Sequence, residues 1–73
     1  MRQFDPSDVY FQAWLKIREA ENAEKEEKYL KAFNHYKKAG SLFDTVGVYH
    51  PDWKPHLVKD RQATTLGSMD KIR

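Results

Sequence analysis

The sequence contains no cysteine, only three glycines and three prolines, and no long apolar run. Without cysteine the chain can form no disulfide, no thiolate nucleophile and no cysteine-ligated zinc site. No segment approaches the ~18 consecutive apolar residues that a membrane-spanning helix needs. The first eight residues, MRQFDPSD, lack the basic and apolar regions of a secretory signal. We therefore expect no transmembrane segment and, by default, a cytoplasmic location.

A large surplus of one charge is also missing. The net charge is +2, and residues 1–53 carry eight Lys or Arg against nine Asp or Glu, whereas residues 54–73 carry five against two. This small basic excess does not make nucleic acid the expected partner. An alternative stays open, in which a basic C-terminal helix contacts nucleic acid or an anionic membrane surface. The residues that would carry it are Lys54, Lys59, Arg61, Lys71 and Arg73.

The residues that are present favour one small folded and soluble domain. Hydrophobic residues make up 40% of the 73-residue chain, aromatic residues 14% and charged residues 33%. This mixture is too apolar for a disordered chain and too polar for a membrane span. A chain of this length is near the lower limit for a self-sufficient core, so a partner can add stability that the chain alone lacks.

Apolar residues at helical spacing dominate the stretch from Ala20 to Phe43 and predict a helical hairpin. The second helix is predicted from Tyr29 to Val46, with one apolar stripe. The stripe comprises Tyr29, Ala32, Phe33, Tyr36, Ala39 and Phe43. The first helix is predicted to begin near residue 6, capped by Asp5 or Ser7. The charged run 24–28 interrupts the stripe and predicts a turn, although one unbroken helix over 6–45 is the competing interpretation.

The sequence after the hairpin predicts a loop and a weaker third helix. Gly47 is predicted to take positive φ just past the end of the second helix. The segment His50-Pro51-Asp52-Trp53-Lys54-Pro55 predicts a loop in which Trp53 folds back as a plug. The third helix is expected to begin between residues 52 and 55. Its stripe comprises Leu57, Val58, Arg61, Thr65, Met69 and Ile72. The domain is thus predicted over 6–66, with a flexible arm at 1–5 and a frayed tail at 67–73.

Two groups of residues resemble a known family. Tyr29, Ala32, Tyr36 and Ala39, followed by Pro51, resemble the second half of a tetratricopeptide (TPR) repeat. The later segment resembles a bacterial variant in which a third helix follows such a hairpin. Its matching positions are Pro51, Trp53, Pro55, Val58 and Arg61. The chain departs from the family at Glu27, where the repeat usually has glycine. The resemblance implies an all-α fold of three helices and a protein-interaction or assembly module.

A more distant resemblance is to the MIT domain, a three-helix relative of the TPR hairpin. It rests on Ala20, Tyr29, Ala32, Tyr36, Ala39 and Phe43, which fall where that family's second-helix signature places them. The Pro-Asp-Trp segment is not an MIT feature, so we rank the TPR-like interpretation first. The MIT resemblance implies a groove that binds a short peptide.

Few residues are candidates for catalysis or for metal binding. The histidines, His35, His50 and His56, lack the ligand spacing of a metal site, and we expect neither a metal nor another cofactor. No nucleophile elbow and no phosphate-binding glycine loop is present. The chain is therefore predicted not to be an enzyme.

The aromatic residues are the part of the sequence that suggests a function, which is the binding of a partner. Three short helices cannot bury all of them, and the apolar first half of helix one predicts a second neighbour, for which helix three is the candidate. We expect a core role for Ile17, Tyr29, Ala32, Tyr36 and Ala39. The predicted partner-binding residues are Phe11, Trp14, Phe33 and Trp53. The predicted partner is a protein or a peptide, including a second copy of this chain.

Overall fold

Three helices account for most of the chain. The computed structural model describes residues 4–72 and contains α1 (Pro6–Lys25), α2 (Tyr29–Tyr49) and α3 (Pro55–Ile72). No strand occurs within residues 4–72, and the predicted all-α three-helix class is confirmed. Helix α2 is central, because it packs against both other helices while α1 and α3 meet only marginally. None of the helices in this described range has the length and apolarity needed to cross a bilayer.

Helix α1 begins where the sequence predicts. Asp5 is the N-cap, and its Oδ1 accepts hydrogen bonds from the backbone N–H and from the hydroxyl of Ser7, both at 2.9 Å. Pro6 follows in the first turn, where its missing N–H costs nothing. Phe4 stacks edge-on against His50, with ring centroids 4.8 Å apart. Phe4 and Asp5 of the predicted arm therefore hold the helix start, while residues 1–3 lie outside the described residues.

A short turn separates α1 from α2, so the hairpin interpretation is confirmed over the single long helix. The N–H of Lys28 donates to the carbonyl of Ala23 at 2.8 Å, and the N–H of Glu27 donates to that of Glu24 at 2.9 Å. These two bonds form a Schellman motif, which needs a left-handed residue at its penultimate position. Glu27 takes that conformation with φ of 60°, although glycine would do so without strain.

Helix α2 is longer than its pattern predicts. It continues to Tyr49, and Gly47 has no positive φ but lies inside the helix, so its predicted role was wrong. The helix ends at His50 because Pro51 disfavours helical geometry at the residue before it. Proline position, rather than glycine position, therefore sets this boundary.

Helix α3 begins at Pro55, within the predicted range, and Lys54 before it has φ of 40°. The helix continues through Gly67 to Ile72, past residue 66 at which the domain was predicted to end. Met69 and Ile72 pack against the buried cluster between α1 and α2, which explains why the last turns are helical. Arg73 lies outside the described residues.

The core consists of two small clusters in which alanine is the recurrent residue. One comprises Ala13, Ala39, Phe43, Val46 and Val58. The other comprises Ala20, Ala23, Ala32 and Tyr36. Small side chains allow the backbones of α1 and α2 to approach closely, and Ile17 packs against both clusters. The predicted core roles of Ala32, Tyr36 and Ala39 are confirmed, whereas Tyr29 is 48% exposed and was wrongly assigned to the core.

Candidate functional site

Helix α1 carries apolar side chains on the side that faces away from the bundle. Nine residues, or about two and a half helical turns, separate Phe11 from the buried Ala20 and Trp14 from the buried Ala23. Phe11 and Trp14 therefore lie on the opposite side of α1 from its buried face. Leu15 is two positions beyond the buried Ala13, about 200° around the helix, and belongs to the same outer face.

The side chains of this outer face are in contact with one another. The rings of Phe11 and Trp14 are stacked, with centroids 6.4 Å apart and planes inclined by 18°. The guanidinium of Arg18 lies 5.0 Å from the centroid of the Trp14 ring, at cation–π distance. We call the four residues Phe11, Trp14, Leu15 and Arg18 the outer face of α1. Mutual stacking restricts their rotamers, so less conformational entropy remains to be lost when a partner covers them.

The apolar side chains of the outer face remain partly exposed to solvent. Phe11 is 54% exposed, and Trp14 and Leu15 are each 36% exposed. Helix α3 does not cover them, because it packs mainly on α2 and contacts α1 from the buried side, where the hydroxyl of Tyr10 accepts a hydrogen bond from Nε of Arg61 at 3.2 Å. The prediction that α3 is the second neighbour of the apolar half of α1 was therefore wrong for these three side chains.

Phe33 lies elsewhere, between the start of α2 and the end of α3. It is half-buried and lines an open apolar depression of about 320 Å³ with Tyr29, Leu30 and Ile72. Leu30 is the most exposed large side chain of this group, at 76%. This depression is separate from the outer face of α1, so the structure does not bring Phe33 together with Phe11 and Trp14.

Trp53 is mainly a structural residue. Its ring packs against Tyr10, with centroids 5.5 Å apart, and belongs to the rim of the first core cluster. The predicted plug is therefore confirmed. The remaining edge of Trp53 lines a pocket of about 240 Å³ with Pro51, Pro55 and Val58. Lys54 lies over the outer side of the indole, 5.4 Å from its centroid.

The polar side chains between α1 and α2 form structural hydrogen bonds and ion pairs rather than a reactive cluster. The hydroxyl of Tyr36 donates a hydrogen bond to Oε1 of Glu24. Burial, reinforced by this carboxylate, raises the pKa of Tyr36 to about 12. Nδ1 of His35 lies 3.4 Å from Oε2 of Glu19, which also pairs with Nζ of Lys16 at 3.0 Å. No group of three or more possible metal ligands is gathered anywhere in residues 4–72.

The basic residues of the C-terminal part do not share one face. Lys59 and Arg61 are two positions apart, about 200° around α3. Arg61 is half-buried on Tyr10, and Lys54 lies on Trp53. This arrangement gives no support to the nucleic-acid or membrane alternative.

Comparison of the chain with protein-family models, with curated proteins and with solved structures gives no match. The TPR-like and MIT resemblances therefore stay predictions.

Two residues of the outer face were missed from the sequence. Leu15 and Arg18 follow Phe11 by four and seven positions, which is the spacing of one helical stripe. The sequence therefore contains this spacing. Because apolar residues occur on every side of the first half of α1, the spacing alone does not indicate which stripe packs against the other helices.

Proposed function

We propose that this chain is a non-enzymatic protein-interaction module of TPR-like type, and that it binds its partner through the outer face of α1. The observation that supports this most strongly is the stacked, exposed pair of Phe11 and Trp14 on the side of α1 opposite the core. Aromatic and arginine side chains are the residues that most often dominate protein–protein binding energies. Here both kinds are assembled in one place.

The size of this surface suits a hot spot within a larger contact. The exposed parts of Phe11, Trp14 and Leu15 amount to roughly 250 Å² of apolar surface. Removing that area from water is worth about 6 kcal/mol, at ~25 cal/mol per Å². A stable protein interface buries about 800 Å² per partner, so flanking polar residues of α1 must complete the contact.

Capture on an immobilised chain tests this function. The wild-type chain, the Phe11→Ser/Trp14→Ser variant and a Leu30→Ser control are each exposed to a lysate of the source organism. Leu30 is exposed but lies on α2, so its replacement removes a similar apolar side chain from a different surface. We expect bound proteins that wild type and the control retain and the double variant loses. Equal capture by all three chains would refute the proposal, provided that circular dichroism shows the helices intact.

A second candidate is a peptide groove of the kind implied by the MIT resemblance. The depression lined by Tyr29, Leu30, Phe33 and Ile72 is mostly apolar and open, and it supports this function. In the same capture experiment its partner would be lost from the Leu30→Ser chain and retained by the Phe11→Ser/Trp14→Ser chain.

A further inference from the structure

Three residues of the outer face, Phe11, Leu15 and Arg18, belong to a longer seam with a heptad pattern along the exposed side of α1. Starting at Asp8, successive members are three and four residues apart alternately, which is the spacing of the a and d positions of a coiled coil. The positions in order are Asp8, Phe11, Leu15, Arg18, Asn22 and Lys25. All six are exposed. Trp14 lies directly beside this seam.

The charges along the seam are not symmetric. An acid, Asp8, occupies its N-terminal end, the apolar pair of Phe11 and Leu15 follows, and a base, Arg18, comes next. Asp8 precedes Phe11 by three residues, and Arg18 follows Leu15 by three. When two such sequences run in opposite directions, the acid of each faces the base of the other and the apolar residues face each other.

We propose that the outer face of α1 binds the same face of a second copy, with the two α1 helices antiparallel. The inference rests on the proposed function, because it assigns the partner of that same surface. In this arrangement Phe11 packs against the partner's Leu15. The same register places Asp8 opposite the partner's Arg18, and two-fold symmetry repeats both contacts.

A parallel pairing of the same helices is disfavoured by the charges. It would set Asp8 against the partner's Asp8 and Arg18 against the partner's Arg18, so both layers would be repulsive. Antiparallel packing also sets the two helix dipoles in opposite directions, which is more favourable than a parallel arrangement. Charge and dipole therefore select the same orientation.

The available area indicates a weak dimer. Helix α1 has 20 residues, but pairing Phe11 with the partner's Leu15 makes the two helices overlap only over residues 6–20, so Asn22 and Lys25 lie beyond the contact. Roughly 250 Å² of apolar surface per copy is well below the ~800 Å² of a typical stable interface. We therefore expect reversible, concentration-dependent association rather than an obligate dimer.

Sedimentation equilibrium of the full chain over a wide concentration range tests the proposal. Wild type should approach twice the chain mass at high concentration, and Phe11→Ser/Leu15→Ser should stay monomeric. Asp8→Lys and Arg18→Glu, each alone, should weaken dimerisation roughly tenfold or more, because each creates two like-charge contacts. Leu30→Ser should dimerise as wild type does.

Mixing the two charge variants gives the decisive measurement. In a mixture, Lys at position 8 of one copy faces Glu at position 18 of the other, while Arg18 still faces Asp8. Asp8→Lys and Arg18→Glu should therefore form a heterodimer about as strong as the wild-type dimer. Circular dichroism of each variant alone establishes that both are folded.

Three results would overturn the inference. They are a wild-type monomer at every concentration, single charge variants that dimerise as well as wild type, and a mixture that stays monomeric. A monomer that still captures other proteins through Phe11 and Trp14 would refute the second copy as partner and leave the proposed function standing. Loss of both self-association and face-dependent capture would refute both.

Discussion

The hydroxyl of Tyr36 in α2 donates its hydrogen bond to the carboxylate of Glu24, near the end of α1. Tyr36 is 3% exposed, so its phenol has little access to water and depends on hydrogen bonds within the protein, of which the one to Glu24 joins α2 to α1. This hydrogen bond links the two helices close to the turn that joins them. It also makes the stability of the hairpin sensitive to alkaline pH.

Stability should fall between pH 10 and pH 12 in the wild-type chain. The folded chain raises the pKa of Tyr36 to about 12, whereas an unfolded tyrosine titrates near its ordinary value of about 10. The unfolded state therefore loses this proton first, and the stabilisation present below pH 10 is lost as pH rises through the folded pKa. We expect a loss of roughly 2 kcal/mol across this interval.

Urea unfolding at a series of pH values provides the measurement. In Tyr36→Phe the loss specific to this group should vanish, and the variant should be about 1–2 kcal/mol less stable than wild type at neutral pH because Glu24 loses its donor. Tyr29→Phe is the matched control, since Tyr29 is half exposed and lies in the same helix. Parallel pH profiles for wild type and Tyr36→Phe would contradict the assignment.

Replacing Glu27 by glycine should stabilise the chain. Glu27 has φ of 60°, a left-handed conformation that costs a side-chain-bearing residue about 1–2 kcal/mol. Glycine adopts it freely but loses more entropy on folding, so the net gain is expected to be about 0.5–1 kcal/mol. Thermal unfolding of Glu27→Gly measures it. Glu26→Gly is the control and should be neutral or destabilising, because Glu26 has a negative φ of −88°.

Replacing Gly67 by alanine should also stabilise the chain. Gly67 lies inside α3, and no atom lies within 4 Å of the position that a Cβ would take. Alanine in place of glycine in an exposed helix interior is worth about 0.5–1 kcal/mol. Gly47→Ala should behave alike in α2, since its surroundings are equally open. An unchanged unfolding midpoint for Gly67→Ala would mean that the last turns of α3 are not helical in solution.

Enlarging a buried alanine should be costly. Ala20 is fully buried between α1 and α2, and a leucine there must push the two backbones apart. We expect Ala20→Leu to lose about 1–3 kcal/mol of unfolding free energy. Ala63→Leu is the control, because Ala63 is exposed on α3 and surface changes usually stay within about 0.5 kcal/mol. Equal stability of the two variants would show that α1 and α2 are not closely packed.

Most helix boundaries could be predicted because local chemistry determines them. Asp5 and Pro6 define the start of α1, and Pro51 limits α2. The prediction for Gly47 was wrong because a glycine near the end of a helical pattern ends the helix only when the chain turns at that residue. Here the chain turns later, at the residue before Pro51.

Tertiary contacts explain the predictions that failed. The weak pattern of α3 predicts fraying after residue 66, but Met69 and Ile72 reach the core cluster between the other helices. Tyr29 is in phase with the buried stripe of α2, yet α1 has already ended at Lys25 and leaves it uncovered. Periodicity reports which residues share a side, and it cannot report where the neighbouring helix stops.

The same limit applies to the candidate site. Phe11 and Trp14 could be selected from the sequence because they lie off the main stripe. Their stacking, and the position of Arg18 over Trp14, depend on side-chain geometry that spacing does not encode. Phe33 and Trp53 share the aromatic character of that pair but are held in different surroundings.

Ile17 connects the two core clusters of the domain. Its side chain packs against both core clusters, one near the start of α1 and the end of α2, the other near the turn that joins these helices. Each cluster alone is too small to be stable. Because the two clusters share the side chain of Ile17, unfolding of one destabilises the other. We therefore expect a shortened side chain at Ile17 to make the unfolding transition less steep as well as to lower its midpoint.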